Sequence, residues 1–235
     1  MIHRLGPIEE PRKIAVGQCL AWVTRDPRWL SAVAIGGLWN LALLFVLPAV
    51  ALLGYGARVL RASVRDESAR LPSWRPFGPL VLDGVRVLML MAVHYMIAAL
   101  CLWSLANLLA LPAVMGSDQE ELAVGLVILA MTLGVPASLL FGLYLLTALG
   151  RAVALERLGA GFEVGQNLDF FRRNSHNYVR LVGVVIVASV LIQLSPILCC
   201  VGLFPAGFWV QCTLNYTLGR ILALDQDFFR QLPAR

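Results

Sequence analysis

Four stretches of this chain contain no Asp, Glu, Lys or Arg at all: residues 29–57, 87–117, 122–150 and 181–219. Each is longer than the roughly 20 apolar residues with which a helix crosses a hydrocarbon core of about 30 Å. Backbone polar groups find no water in lipid, so only helices and closed barrels span it. Barrel strands alternate polar and apolar over about ten residues, whereas these runs are apolar on every face. The expectation is an all-α, polytopic helical integral membrane protein. Composition agrees. Of 235 residues, 59% are hydrophobic and 14% charged, against about 45–50% and 25% in soluble domains.

The cations set the topology. Five lie before Trp29, six in residues 58–86, five in 151–180 and three from Arg220 onward, which is the whole complement of 19. The short loop around residues 117–121 has none and carries Asp118, Glu120 and Glu121. Lys and Arg prefer the cytoplasmic side, so both termini and all four basic segments are expected inside a cell (inner) membrane. The same rule accounts for the net charge of +5 without a nucleic-acid partner. Residues 1–28 then form a cytoplasmic or interfacial segment, 29–224 the transmembrane domain and 225–235 a short cytoplasmic tail. Glu9, Glu10, Arg12 and Lys13 precede any apolar run, so residues 1–28 are not expected to be a signal peptide.

Five or six spans in repeated hairpins are expected. Residues 87–150 make one pair and 181–219 another. Residues 29–61 fit one tilted pass, a hairpin or a re-entrant pair. A break near Leu47-Pro48 leaves a return helix to Arg61 of only about 21 Å at 1.5 Å per residue. The sequence also repeats itself. Residues 136–151 and 205–220 both open on Pro-Ala and close on Leu-Gly-Arg, and residues 47–61 match more loosely through Pro48 and Gly54. Pro136 nonetheless falls in the middle of its apolar run, where a kink is the alternative.

The basic segments are amphipathic. Ile14, Leu20, Trp22 and Val23 can share a face, as can Val164, Leu168 and Phe171, and then Leu224, Phe228 and Leu232. Such interfacial helices lay their aromatics on a membrane and turn arginines toward phosphates. Two of them carry the same Asp-Phe-Phe-Arg, at residues 169–172 and 227–230.

Residues 47–61, the loop 71–84, Asn177 through Leu181 and the terminal Leu-Gly-Arg at 218–220 together resemble a prokaryotic membrane family catalogued as domain of unknown function 4013. The likeness rests on Pro48, Gly54, Tyr55, Arg58, Leu71, Pro72, Trp74, Asp83 and Gly84, and covers roughly residues 20–224. It implies a multi-pass helical membrane protein and carries over no catalytic residues.

Candidate sites are few. Arg61, Arg151, Arg220, Arg172, Arg173 and Trp74 are candidates for lipid headgroup or interface contacts, on the cytoplasmic side where anionic headgroups concentrate. Asn40, His94, Tyr95 and Gln193 are polar groups within apolar runs, where an ionisable residue is a functional candidate by default. No intramembrane carboxylate accompanies His94, so a proton relay lacks its second member. Asn107, Gln211 and Asn215 suit hydrogen bonds between helices. Asp83 and Arg86 are spaced for a local ion pair. The five cysteines lack metal-ligand spacing, although Cys199-Cys200 is a vicinal pair. No catalytic signature appears, so neither enzyme activity, metal nor cofactor is expected. The leading functional expectation is a lipid-interacting module or an accessory, scaffolding subunit of a membrane complex. The alternative is a small-solute transporter or channel, to which proline-broken helices point.

Overall fold

The computed structural model describes residues 13–42, 46–115, 120–194 and 202–233. Ser117 and Asp118 of the acidic loop and the Cys199-Cys200 pair lie outside them. The described residues are all-helical, without a strand. In order they form α1 (Val16–Arg25), α2 (Trp29–Leu41), α3 (Val46–Arg65), α4 (Phe77–Met115), α5 (Glu120–Ala154), α6 (Val164–Arg173), α7 (Ser175–Leu194), α8 (Leu203–Leu224) and the single turn α9 (Gln226–Phe229). A 3-10 turn, Leu158–Phe162, joins α5 to α6. Three stretches are long and apolar enough to cross a bilayer: Phe77–Ser104, Thr132–Ala154 and Ser175–Leu194.

The first apolar run is two helices, not one. Along α2 and α8, Gly36 meets Phe208, Gly37 meets Pro205 and the Asn40 amide reaches the Phe204 carbonyl, so the two run antiparallel. Along α3 and α8, Leu52 pairs with Gln211, Gly56 with Asn215 and Ser63 with Gly219, so these run parallel. α2 and α3 are therefore a hairpin. α3 also continues past Arg61 to Arg65, 20 residues in all and about 30 Å at 1.5 Å per residue, but its second half carries Arg58, Arg61 and Arg65, so the apolar part stays short and α3 is not among the three stretches above.

Pro48 and Pro205 both sit in the first turn of their helices, where a missing N–H breaks no intrahelical bond. Pro136 lies in the interior of α5, because that helix begins at Glu120, well before the proline. The repeat is thus structural between α3 and α8, and is shared by α5 only at its arginine end. α4 and α5 pair antiparallel, with Tyr95 against Phe141 and His94 against Tyr144.

Backbones touch where α3 crosses α4. A Cβ on Gly54 would overlap the Leu80 carbonyl oxygen, and one on Gly84 would overlap the Val50 carbonyl oxygen. Glycine on both helices permits this approach, as at other close helix crossings in membranes, and places Cα hydrogens against carbonyls. The core follows from it. Tyr55, Val59, Phe208, Cys212 and Ile221 are fully buried on the adjoining faces of α3 and α8.

The amphipathic segments use their faces differently. α1 turns Cys19, Trp22 and Val23 inward against the bundle, with Trp22 stacked on Tyr216 at 4.4 Å. Its apolar face meets protein, not lipid. α6 docks through Asn167 and Phe170, leaving Val164 and Leu168 of the expected stripe exposed. In the tail, Phe228 of the expected stripe is buried. Phe170 and Phe228 hold the same place in the two Asp-Phe-Phe-Arg motifs and pack edge to face at 5.8 Å.

Overpacking a tight site costs about 1–3 kcal/mol, so Gly54→Ala and Gly84→Ala are expected to lower the thermal unfolding midpoint in detergent by several degrees. Gly134→Ala, at a position with open space around it, is expected to leave that midpoint unchanged or raise it slightly, since alanine favours helix.

Candidate functional site

Proline-rich loops leave carbonyls without local donors, because each proline lacks an N–H. The connection between α3 and α4 is such a loop, and α3 supplies what it lacks. Arg58 donates to the carbonyls of Ser73 at 3.0 Å, Pro76 at 2.8 Å and Arg75 at 3.5 Å. One turn earlier, the Tyr55 hydroxyl donates to the Pro72 carbonyl at 2.9 Å. Its ring stacks on Trp74 at 4.3 Å, and Trp74 in turn stacks on Phe208 and Trp39. Trp74 is thus wedged into an aromatic cluster rather than laid on a surface, and its indole nitrogen is buried with no partner among the described residues. At the end of α3, Asp66 accepts from the Ser68 hydroxyl and backbone N–H. Those two bonds, the hydroxyl first, hold its carboxyl below the usual range.

Several other arginines are also committed within the protein. Arg61 grips both oxygens of Asp83 across the α3–α4 crossing, and Arg86 approaches the same carboxylate at 3.8 Å. The expected local pair of Asp83 with Arg86 is therefore the longer half of a triad. The cross-helix partner, Arg61, is invisible in local spacing. Arg220 bonds Glu67 at 2.9 Å and the Ser63 carbonyl at 3.3 Å. Arg173 lies 3.4 Å from Asp225, and Arg180 holds the Ile14 carbonyl. These contacts gather the four basic segments at one end of the bundle.

Arg151 is the extreme case, 2% exposed. Its guanidinium donates to Asn167, to Gln166 at 2.8 Å and to Glu163 at 3.4 Å. Asn167 is held in turn by the Gly161 carbonyl at 3.0 Å. A headgroup has no access to a charge so enclosed. Arg172, by contrast, is exposed. Sequence reading missed Asn167 as the partner; its period-three spacing with Phe170 on a polar helix was the available signal.

The polar groups within apolar runs do not converge. The His94 ring lies 6% exposed between Tyr144 and Phe162, its Nδ1 2.9 Å from the Leu90 carbonyl of its own helix. Tyr95 and Gln193 are exposed. Asn40, Gln211 and Asn215 are the group that does meet. Their amide nitrogens donate to the carbonyls of Phe204, Leu52 and Gln211 at 3.1, 2.7 and 2.8 Å. All three line a cavity of about 420 Å³ whose remaining wall is apolar, with Leu52, Leu60, Met91, Leu146, Leu149 and Leu218 prominent. A second recess of about 300 Å³ adjoins it across Ala57, Val87 and Val153, and carries Arg61, Asp83, Arg86 and Glu156 on its rim.

Chemically, this arrangement offers an apolar chamber with a charged mouth. The hydroxyls of Ser104, Ser138 and Ser189 bond carbonyls of their own helices. Among the described residues no group of His, Cys, Asp and Glu could hold a metal ion.

Removing one partner of a buried charge network costs about 3–5 kcal/mol, so Arg151→Ala is expected to abolish or sharply reduce folded protein in size-exclusion profiles. Arg172→Ala, on an exposed side chain, is expected to fall within about 0.5 kcal/mol of the parent.

Residues 40–201 match a family described as "Protein of unknown function (DUF4013)". No curated protein and no solved structure is significantly similar to the chain.

Proposed function

The chain belongs to the DUF4013 family, and we propose that it is a non-catalytic integral membrane protein whose work is to engage lipid. The observation that carries this reading is the apolar chamber among α2, α3, α4, α5 and α8, which opens beside the charged recess. Pockets of about 300–1,000 Å³ with mainly apolar walls and a few polar groups are the usual form of small-molecule sites. This one lies among membrane helices, where the molecules at highest concentration are lipids.

The disposition of charge supports the same reading. Arg58, Arg61, Arg151, Arg180 and Arg220 tie the helices and loops of the basic end together, while Arg25, Arg28, Arg65, Arg70, Arg75, Arg172 and Arg230 stand exposed around them, so that end is a braced rim with an outer fringe of cations. By the positive-inside rule we place it, with both chain termini, on the cytoplasmic side of a cell membrane. There the exposed Val164 and Leu168 of α6, with Arg172 and Arg173 beside them, suit an anionic leaflet surface. The basic rim is also a surface on which another subunit of a membrane complex can sit, as an accessory role requires.

Transport draws less support. Asn40, His94 and Gln193 do not line one route, and each amide of the chamber gives one N–H to a backbone carbonyl. Native mass spectrometry of the protein, extracted gently from its own membrane, is expected to show bound phospholipid. A protein partner held in fixed ratio instead would move the reading to an accessory subunit. In proteoliposomes, a solute flux that disappears on Asn40→Ala, His94→Ala or Gln193→Ala while the protein stays folded would replace it with a transporter.

A further inference from the structure

The chamber and the recess differ in character but share a wall, and their order along α4 is informative. Asp83 and Arg86 stand at the mouth, Val87 lies on the shared sill, and Met91 lies inside the chamber. Polar groups give way to apolar ones at the point where the charge-free run of the helix begins. A phospholipid reads in the same order from the interface inward: phosphate, then glycerol, then acyl chain.

The groups at the mouth are unequal. Asp83 is 14% exposed and has both oxygens engaged by Arg61, itself 19% exposed. Arg86 is 53% exposed, and its 3.8 Å approach to Asp83 is too long for a hydrogen bond. Its planar fork of five N–H donors makes no hydrogen bond among the described residues, which leaves donors open to phosphate oxygens, the anions that such a fork matches two at a time. Two guanidinium groups against one carboxylate leave a positive remainder beside α4. Glu156, on the opposite rim, keeps the mouth as a whole near neutrality.

Resting on the lipid-engaging reading above, we propose that the recess and chamber form one binding site for a glycerophospholipid of low net headgroup charge. Its phosphate is held by Arg86, and one acyl chain passes over Val87 and Val153 into the chamber. Arg61 and Asp83 are positioning residues. They fix the rim against which Arg86 works, and the Gly54–Gly84 crossing fixes them.

The test uses the full chain in nanodiscs containing equal amounts of phosphatidylethanolamine and a diacylglycerol with the same acyl chains, read by native mass spectrometry. The parent protein is expected to retain one phosphatidylethanolamine and to prefer it over diacylglycerol by about tenfold, the scale of one charge-assisted contact. Arg86→Gln leaves the chamber intact and is expected to erase the preference. Val87→Trp fills the sill and is expected to remove retention of either lipid. A parent that retains phosphatidylethanolamine while both variants match it overturns this site and leaves the broader reading standing. Equal retention of diacylglycerol by the parent overturns the phosphate assignment. A parent that retains no lipid overturns both. Arg86 is exposed and makes no hydrogen bond among the described residues, so its variant stays informative if Val87→Trp fails to fold.

Discussion

Two glycines let the backbones of α3 and α4 touch, and much of the basic end is assembled on that contact. With Gly54 against Leu80 and Gly84 against Val50, Asp83 comes within the grip of Arg61. The intervening loop is then short enough for Tyr55 and Arg58 to reach its carbonyls. Separating the helices by the width of a methyl group would lengthen each of these contacts together. Proximity here is a backbone property, and the side-chain chemistry is its product.

The charged end shows how a membrane protein can use part of its arginine complement as internal bracing. Each guanidinium has five donors and no acceptor, which makes it an efficient receiver of helix-end and loop carbonyls that would otherwise go unpaired. Arg58, Arg180 and Arg220 all bond backbone oxygens, and Arg151 is enclosed with an amide pair and a carboxylate. Where a helix surface or loop faces away from the bundle, as at Arg65, Arg70, Arg86 and Arg172, the charge is left outward.

Helical class was legible because absence of charge over some thirty residues admits few structures. The α2–α3 hairpin was legible only as one of several options, since residues 29–61 fit more than one geometry by length. The parallel pairing of α3 with α8 settles it, and that pairing is a long-range fact. The Pro48, Tyr55, Arg58 and Trp74 cluster stood out as residue types near prolines, but the carbonyls that Arg58 serves have no signature in sequence. Periodicity marked the apolar stripes of α6 and the tail equally well, yet in α6 Val164 and Leu168 are exposed and only Phe171 packs on the core, against Tyr178, while in the tail Phe228 is buried. Which way a stripe turns depends on what lies beneath it, and beneath α6 lie the Arg151 guanidinium, which Asn167 meets, and the Phe228 ring, which Phe170 meets.

The lengths of the helices carry a last consequence. The charge-free part of α4, residues 87–115, is about 43 Å long at 1.5 Å per residue, and α5, with a charge-free run of similar length, pairs antiparallel with it through Tyr95–Phe141 and His94–Tyr144. A straight hairpin that kept that much apolar rod inside a slab of about 30 Å would lean by about 45°, just beyond the range of about 0–40° seen for membrane helices. A rod so inclined sweeps sideways about as far as it climbs. The protein's footprint in the membrane plane would then be wider and more lopsided than its residue count suggests, with an arm reaching out among the lipids to one side of a compact hub.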